Sequence, residues 1–361
     1  MKKTGLWHTP LDLISRYRPA LMGAAALFIL FYHCWIRMNL QFWIMAELEN
    51  NILSVGFIGV EIFLFLSGMG LTYAIAKHRS IRAFYGKRIR RIVFPYVFMA
   101  MLYTLGSGQG IKAFLLLALG VRHITQSIQV LLWYIPATML LYALFPLYHH
   151  FMIRSRNETA FVCNSIGLWL LLTLAIRDGV RADLWVFVNR VPTFLLGILA
   201  GRLCQTRRVE FQSTHWWGTL LALVLGYQLT RLGIRGHFVL FPEMAYSLEA
   251  SMLGIALVLL LSALFEKMEA LEGLAGRWMR RIVAALSWVG TFSLELYCIH
   301  MWLYERIYAC LEGRISYLQM NFVTIPACLL AAWLLSGLHR AFWSGIDGAV
   351  RGVQKRRAIE K

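Results

Sequence analysis

Residues 20–36 read ALMGAAALFILFYHCWI, an apolar run that contains one histidine, His33, and no charged residue. About 20 helical residues cross the hydrocarbon core of a bilayer, so a run of this kind predicts a membrane span over residues 20–38. An imidazole buried there loses its hydrogen bonds to water, at a cost of about 1–3 kcal/mol if nothing replaces them. His33 is therefore either a hydrogen-bonded core residue or a catalytic base.

The composition of the whole chain is that of a membrane protein. Of its 361 residues, 59% are hydrophobic and only 15% are charged, and the mean hydropathy is +0.61. A soluble domain carries about 25% charged residues. The net charge of +18 would indicate nucleic-acid binding in a soluble protein. Here the cations lie in short loops between apolar runs, so no nucleic-acid partner is expected.

Apolar runs long enough to cross a bilayer recur ten times along the chain. They lie at residues 20–38, 52–76, 91–107, 128–149, 159–176, 186–203, 215–232, 246–265, 284–308 and 321–344. We therefore predict an all-α fold, a polytopic helical bundle of about ten transmembrane helices. An even number places both termini on one side, and most of the 36 Lys and Arg residues fall in segments on that side. The positive-inside rule then predicts that both termini are cytoplasmic.

The domain organisation is simple. No Pro-rich or Gly/Ser-rich linker interrupts the chain, so residues 1–361 are predicted to form a single domain. We expect residues 1–19 to be a cytoplasmic tail and residues 345–361 to be a basic cytoplasmic tail. The six cysteines lack CxxC spacing, so neither a zinc site nor a disulfide framework is predicted, and no metal is expected.

Three ionisable residues lie at comparable depths in the predicted spans. They are His33 in the first span, Glu61 in the second and Glu295 in the ninth. Ionisable groups at membrane depth are costly and commonly functional. A carboxylate beside a histidine fixes its tautomer and raises its basicity, as a general base requires. The alternative is a buried Glu–His pair that only ties two helices together. His300 lies nearer the outer interface, where it is open to solvation, and a structural or pore-lining role is expected for it.

Two further segments combine charge or aromatic character with proline. In FYGKRIRRIVFPY (84–96), Arg88 and Arg91 are three residues apart and share one helix face. They are either a positive-inside anchor or a phosphate clamp, because guanidinium groups match phosphate oxygens. In LWYIPATMLLYALFPL (132–147), Trp133 and Tyr134 fit an aromatic belt at the membrane interface. The two prolines of that segment indicate an irregular helix that lines a cavity.

Six segments in chain order resemble the acyltransferase-3 family of bacterial integral-membrane O-acyltransferases. The resemblance rests on YRPALMGAAALFILFYH (17–33), GVEIFLFLSGMGLTYAI (59–75), KRIRRIVFPY (87–96), LWYIPATMLLYALFP (132–146), FLLGILAGRL (194–203) and GTFSLELYCIH (290–300). No single motif is specific, but together they cover nearly the whole chain. The resemblance implies a multi-pass protein of the bacterial plasma (inner) membrane. It implies transfer of an acyl group, acetyl or succinyl, from acyl-CoA to a hydroxyl of a cell-surface saccharide or lipid-linked glycan.

The resemblance also assigns roles to residues of this chain. It implies His33 as the catalytic histidine and Arg88 and Arg91 as part of the donor site. It implies that Glu61, Ser67 and Trp133 contribute to a shared cavity. We further expect Glu61 or Glu295 to orient the His33 imidazole. The same cavity is expected to include Tyr134 and His300.

One departure from the family pattern concerns a cation on the first span. Many members carry Arg or Lys eleven positions before the histidine, on the same helix face. Here that position is Met22, and Arg18 lies one turn further back. We expect Arg18 to take over the role of this cation, about 22 Å from His33 along a straight helix.

A proton-coupled transporter or flippase is the rival hypothesis. Ten spans, basic inner loops and intramembrane Glu and His residues suit such a carrier. Its discriminating feature is a pair of broken helices in two related halves, and the sequence shows none. A non-enzymatic membrane scaffold is a third hypothesis. The sequence does not identify the acyl group, the acceptor or the oligomeric state. It also does not distinguish direct transfer from transfer through an acyl-histidine intermediate. Membrane lipids are the one further partner expected.

Overall fold

The structure, a computed structural model, describes residues 10–35, 47, 49–77, 80–125, 132–176, 179, 182–206, 210–236 and 247–359. Over these residues the protein is all-α, as predicted, with one 3₁₀ segment at Leu53–Ile58. The α-helices in chain order are α1 (Pro10–Arg16), α2 (Arg18–Trp35), α3 (Gly59–Lys77), α4 (Ile81–Gly106), α5 (Gly110–Ala118), α6 (Val121–Thr125), α7 (Tyr134–Arg154), α8 (Glu158–Ile176), α9 (Ala182–Val188), α10 (Val191–Thr206), α11 (Ser213–Ile234), α12 (Ser247–Ala270), α13 (Gly273–Thr291), α14 (Ser293–Leu311) and α15 (Tyr317–Ile359).

Parts of the predicted spans and tails lie outside the described residues. These are residues 1–9 of the N-terminal tail, 36–38 of the first span, 128–131 of the fourth, residue 246 of the eighth, and residues 360–361 of the C-terminal tail. Within the described ranges, six helices are long and apolar enough to cross a membrane. The number rises to eight if each of two sharply bent helix pairs is counted as one span. The protein is thus a multi-pass helical bundle, while ten spans and the side of the termini stay predictions.

The chain bends sharply at two places that the sequence analysis did not predict. The predicted ninth span (284–308) runs across the junction of α13 and α14, which meet at 75°. Phe292 leaves helical geometry there, with φ −121° and ψ 23°, and its N–H bonds back to the carbonyl of Val289. Glu295 consequently lies in the first turn of a new helix instead of the middle of a long one. The chain also bends by 73° between α1 and α2.

Helix α2 packs mainly against α13, the 3₁₀ segment Leu53–Ile58 and α3. Its crossing with α13 depends on two glycines that bring the backbones into contact. A Cβ atom added at Gly23 would lie 1.8 Å from the carbonyl oxygen of Leu286, and one at Gly290 would lie 1.9 Å from that of Pro19. Helices α3 and α10 cross in the same way through Gly68 and Gly197. The crossing with α13 thus helps to fix α2, the helix that carries Arg18 and His33.

Candidate active site

A cavity of about 700 Å³ opens beside the first half of α2. Four cationic side chains line it: Arg18, Lys77, Arg88 and Arg91. No Asp or Glu is among its described lining residues. A cavity with several cations and no lining carboxylate attracts an anionic ligand, because wall charges of one sign reinforce each other's field.

The cationic side chains of the cavity are held in different ways. Arg18 is the first residue of α2, and its Nε donates to the carbonyl oxygen of Leu66 at 3.4 Å. Its guanidinium lies over Gly70, where an added Cβ would approach Nη2 to 3.0 Å. The Arg88 guanidinium lies 5.1 Å from the ring centroid of Phe84. The absence of a side chain at Gly70 therefore gives Arg18 its space.

One wall of the cavity is polar and comes from α3 and α7. Tyr134, Thr138 and Tyr142 line it at intervals of four residues, which places them along one face of α7. The Tyr142 hydroxyl donates to Oγ of Ser67 on α3 at 3.3 Å. Ser67 is buried, and its position opposite Tyr142 makes it part of this wall. The wall offers hydroxyl groups to the uncharged part of a ligand.

His33 does not line the cavity but pairs with a second histidine. The ring centroids of His33 and His300 are 5.0 Å apart, with the planes inclined at 50°. His33 comes from the far end of α2 and His300 from α14. His300 is buried, which does not fit solvation at the interface but fits the structural role expected for it, and it is not among the described residues that line this cavity.

The hydrogen bonds of His300 determine which ring nitrogen carries its proton. Nδ1 lies 2.9 Å from the carbonyl oxygen of Tyr297 and 3.1 Å from that of Leu296. Carbonyl oxygens only accept hydrogen bonds, so we assign the proton of the neutral ring to Nδ1. Nε2 is buried, and the described residues supply no hydrogen-bond partner for it. His300 therefore presents an unprotonated nitrogen in the neighbourhood of His33.

Two tyrosines lie between the cavity and the histidine pair. Tyr134 and Tyr297 both line the cavity, and their ring centroids are 5.0 Å apart. Tyr297 is also in contact with His300, at a centroid distance of 5.8 Å. The aromatic series Tyr134–Tyr297–His300–His33 thus connects the cavity to the histidine at the end of α2.

The two carboxylates expected beside His33 have other partners. Glu61 forms an ion pair with Arg190, with 2.8 Å between Oε1 and Nε, and both side chains are almost fully buried. Glu295 accepts a hydrogen bond from Nη1 of Arg91 at 2.7 Å and lies 2.8 Å from Nδ1 of His339. Neither carboxylate is hydrogen-bonded to His33 among the described contacts. The predicted pairing of His33 with Glu61 or Glu295 is therefore corrected, and the neighbouring ring is His300.

The family follows from a comparison with known sequences. A family model described as an acyltransferase domain matches residues 21–339, most of the chain. The chain belongs to the acyltransferase-3 family. No curated protein and no solved structure gave a significant match. With the spans described above, membership identifies a membrane acyltransferase.

The structure of this acyltransferase divides the predicted site residues into groups. The cavity brings together Arg18, Ser67, Arg88, Arg91 and Tyr134. His33 and His300 lie together beyond it. Trp133 was expected in the cavity but lies against Arg190, whose guanidinium carbon is 5.3 Å from the centroid of the Trp133 ring. Trp133 therefore packs beside the buried ion pair of Glu61 and Arg190.

Sequence reasoning missed several residues of this acyltransferase site. Tyr142 was readable from the four-residue spacing of polar side chains in an apolar helix, and Tyr297 from its position one turn before His300. His339 lies inside the tenth predicted span beside Arg340, so the signal that could have found it was the one used for His33, an ionisable residue in an apolar run. Within the described residues no group of three His, Cys, Asp or Glu side chains is arranged to hold a metal ion.

Proposed function

We propose that this acyltransferase moves an acyl group, acetyl or succinyl, from acyl-CoA to a hydroxyl of a cell-surface saccharide or lipid-linked glycan. The observation that carries the proposal is a cationic cavity that ends at two tyrosines, beyond which lies a pair of histidines. A donor with an anionic head, a narrow arm and a reactive thioester at its far end matches this order of chemical groups.

The head of the donor fits the cations of the cavity. Coenzyme A carries a diphosphate and a ribose phosphate, and guanidinium groups bind phosphate oxygens with two parallel hydrogen bonds. Arg18 and Arg88 have no carboxylate partner among the described residues, so their charges are available to a ligand. The hydroxyl wall of Ser67, Thr138 and Tyr142 then contacts the polar, uncharged pantetheine arm.

The chemical step is assigned to His33. In direct transfer, His33 takes the proton of the acceptor hydroxyl while its oxygen attacks the thioester carbonyl carbon. The C–S bond then breaks, and the imidazolium returns the proton to the CoA thiolate. In the alternative, an unprotonated nitrogen of His33 attacks the thioester carbonyl and the C–S bond breaks, releasing the CoA thiolate; the acceptor oxygen then attacks the acyl-histidine, the C–N bond breaks, and the hydroxyl proton passes to the thiolate. Both versions require an unprotonated nitrogen on His33.

His300 takes the orienting role that was expected of a carboxylate. With its proton on Nδ1, His300 presents a buried Nε2 that has no hydrogen-bond partner among the described residues, and we propose that this nitrogen accepts from an N–H of His33 during the reaction, which leaves the other nitrogen of His33 unprotonated. The ring distance of 5.0 Å supports this assignment. His300 is thus a positioning residue, and His33 is the group that meets the substrate.

The membrane arrangement completes the proposal. Residues 1–361 act as one domain in the bacterial plasma membrane, with the tails 1–19 and 345–361 in the cytoplasm and lipids around the bundle. Arg88 and Arg91 fall in a predicted inner segment, so the donor cavity opens to the cytoplasm. The acceptor reaches His33 from the other end of α2.

The decisive experiment measures free CoA thiol release by the purified, detergent-solubilised protein with acetyl-CoA, succinyl-CoA and longer donors. Wild type, His33→Ala and His150→Ala are compared, because His150 is an exposed histidine on α7 and serves as the control. We expect release with the wild type and the control and none with His33→Ala. Crude cell-envelope glycan is added in a parallel series to supply the acceptor.

Two outcomes would contradict the proposal. Full release by a well-expressed His33→Ala protein would remove His33 from the reaction. No release from any donor, with or without the glycan, would exclude acyl-CoA as the donor and would favour transport.

A further inference from the structure

Arg91, Glu295 and His339 form a continuous series of polar contacts behind the donor cavity. The series joins α4, α14 and α15. Arg91 Nη1 donates to Oε1 of Glu295 at 2.7 Å, and Nδ1 of His339 lies 2.8 Å from the same oxygen. Nε2 of His339 lies 2.7 Å from the backbone carbonyl oxygen of Arg90. The Glu295 side chain is fully buried and that of His339 nearly so, whereas 41% of the Arg91 side chain stays exposed.

Both ring nitrogens of His339 face hydrogen-bond acceptors. A backbone carbonyl only accepts, and a carboxylate that already takes an N–H from a guanidinium is held in its ionised, accepting form. A neutral imidazole has one N–H and would leave one of the two contacts unsatisfied. The doubly protonated ring satisfies both, so the geometry assigns a positive charge to His339.

This charge changes the balance around Arg91. Arg91 and Glu295 taken alone cancel, and a neutral pair attracts an anion only weakly. With the imidazolium included, the three side chains carry a net charge of plus one. Because Glu295 and His339 are shielded from water, their charges act on Arg91 more strongly than surface charges would.

We propose that His339 is a positioning residue of the donor site. Its imidazolium offsets the carboxylate of Glu295, so that Glu295 holds Arg91 in place while Arg91 still presents net positive charge to an anionic ligand. The inference rests on the proposed function, because it takes the phosphates of CoA as that ligand.

Other contacts fix the orientation of His339. Its ring stacks on Phe94 of α4, with 5.4 Å between centroids and planes 10° apart. The guanidinium of Arg90 is turned toward α15, where it pairs with Asp347 at 2.8 Å and lies over the Trp343 ring. The charged groups that face His339 from α4 and α14 are therefore Arg91, reached through the shared carboxylate, and Glu295.

The test measures the Kd of CoA for the purified full-length protein at fixed ionic strength. His339→Gln leaves the Glu295 charge in place without its counter-ion, and we expect the Kd to rise at least about tenfold. In the double variant Glu295→Gln/His339→Gln, Arg91 is no longer neutralised, and we expect the Kd to return to within about threefold of wild type. His150→Gln is the matched control and should bind CoA as wild type does.

A purely structural role of His339 predicts the opposite order. The double variant would then bind CoA as weakly as His339→Gln or more weakly, which would overturn the inference. Glu295→Gln alone keeps the inference testable even if His339→Gln does not fold. This variant should bind CoA at least as tightly as wild type, and weaker binding by a folded protein would also overturn the inference.

The two proposals fail in distinguishable ways. Wild-type protein that binds no CoA would overturn the proposed donor and this inference with it. Wild-type protein that binds CoA, together with a folded His339→Gln variant of equal affinity, would overturn only the inference about His339.

Discussion

His33 and His300 lie with their ring centroids 5.0 Å apart, although they come from α2 and α14. The backbone carbonyls of Tyr297 and Leu296 hold the proton of His300 on Nδ1, which leaves Nε2 as an acceptor. The proposed catalytic histidine is thus in ring contact with a second histidine from another helix.

Replacing His300 should impair turnover without weakening donor binding. His300→Gln replaces the nitrogen that we propose accepts from His33 and changes no residue that lines the donor cavity. We expect kcat for His33-dependent thiol release to fall at least about tenfold, with an unchanged Kd of CoA. Thiol-release assays and CoA titrations on the same preparation measure both quantities. Normal turnover in a folded His300→Gln protein would show that His33 works without this neighbour.

The ring of Tyr297 should restrict passage from the cavity to His33. We expect Tyr297→Ala to raise the rate with long acyl donors, relative to acetyl-CoA, by about tenfold, since removing the ring lowers a steric barrier of about 1.4 kcal/mol. Tyr297→Phe keeps the ring and should leave donor preference unchanged. The measurement is thiol release across a series of acyl lengths. An unchanged preference in Tyr297→Ala would place the passage elsewhere.

An arginine at position 22, one helical turn after Arg18, should replace Arg18 in binding the donor. Arg18 and Met22 both line the donor cavity. We expect Arg18→Gln to raise the Kd of CoA at least about tenfold, because a charged hydrogen bond to phosphate contributes about 1.5–3 kcal/mol. Adding Met22→Arg in that background should recover most of the loss.

Arg16 provides the control for this pair of variants. Its guanidinium pairs with Glu266 and Glu269 and is not among the residues that line the cavity. Arg16→Gln should therefore leave the Kd of CoA unchanged. If Arg18→Gln also binds CoA normally, Arg18 does not contact the donor.

The buried ion pair of Glu61 and Arg190 should contribute to folding and not to chemistry. Glu61→Gln leaves Arg190 charged and buried, and we expect a loss of about 3–5 kcal/mol in the free energy of unfolding. The double variant Glu61→Gln/Arg190→Met removes both charges and should be more stable than the single one. Thermal unfolding in detergent compares them.

Activity of the double variant separates the two roles of Glu61. We expect it to retain His33-dependent thiol release within about a factor of ten of wild type. Complete loss of thiol release in a well-folded double variant would show that Glu61 or Arg190 is needed for the reaction.

The crossing of α2 with α13 should not tolerate a single methyl group. A Cβ at Gly290 would lie 1.9 Å from the carbonyl oxygen of Pro19, a backbone atom that cannot move independently. Overpacking a close contact costs about 1–3 kcal/mol or more, so Gly290→Ala should lower the melting temperature or the yield of folded protein. Gly337→Ala is the control, because no atom lies within 4 Å of its added Cβ. Equal stability of the two variants would contradict the close crossing.

Much of the fold follows from local properties of the sequence. An apolar run predicts a helix wherever it occurs, and each predicted span overlaps a helix in the described residues. The bend at Phe292 was not predicted, although Gly290, Thr291 and Ser293 interrupt the apolar run there, because such residues also occur inside straight spans. Glycines such as Gly23 gave no signal either, since their role depends on the backbone of another helix.

The candidate site shows the same limit. The residue types at membrane depth, His33, Glu61 and Glu295, were all read from the sequence, and so were the arginines of the donor cavity. Their pairing was not, because position along a helix fixes depth but not which neighbour a side chain faces. Glu61 and Arg190, or Glu295 and His339, lie far apart in the chain and meet only through helix packing.

The sequence by itself therefore determined the membrane class, the helical fold and the ionisable groups carried into it, because hydropathy and helix length are local quantities. Only the tertiary structure decided that Glu61 and Glu295 neutralise cations and that His33 lies against His300. The physical reason is that a buried charged side chain pairs with the nearest side chain of opposite charge. The packing and bending of the helices decide which side chain that is.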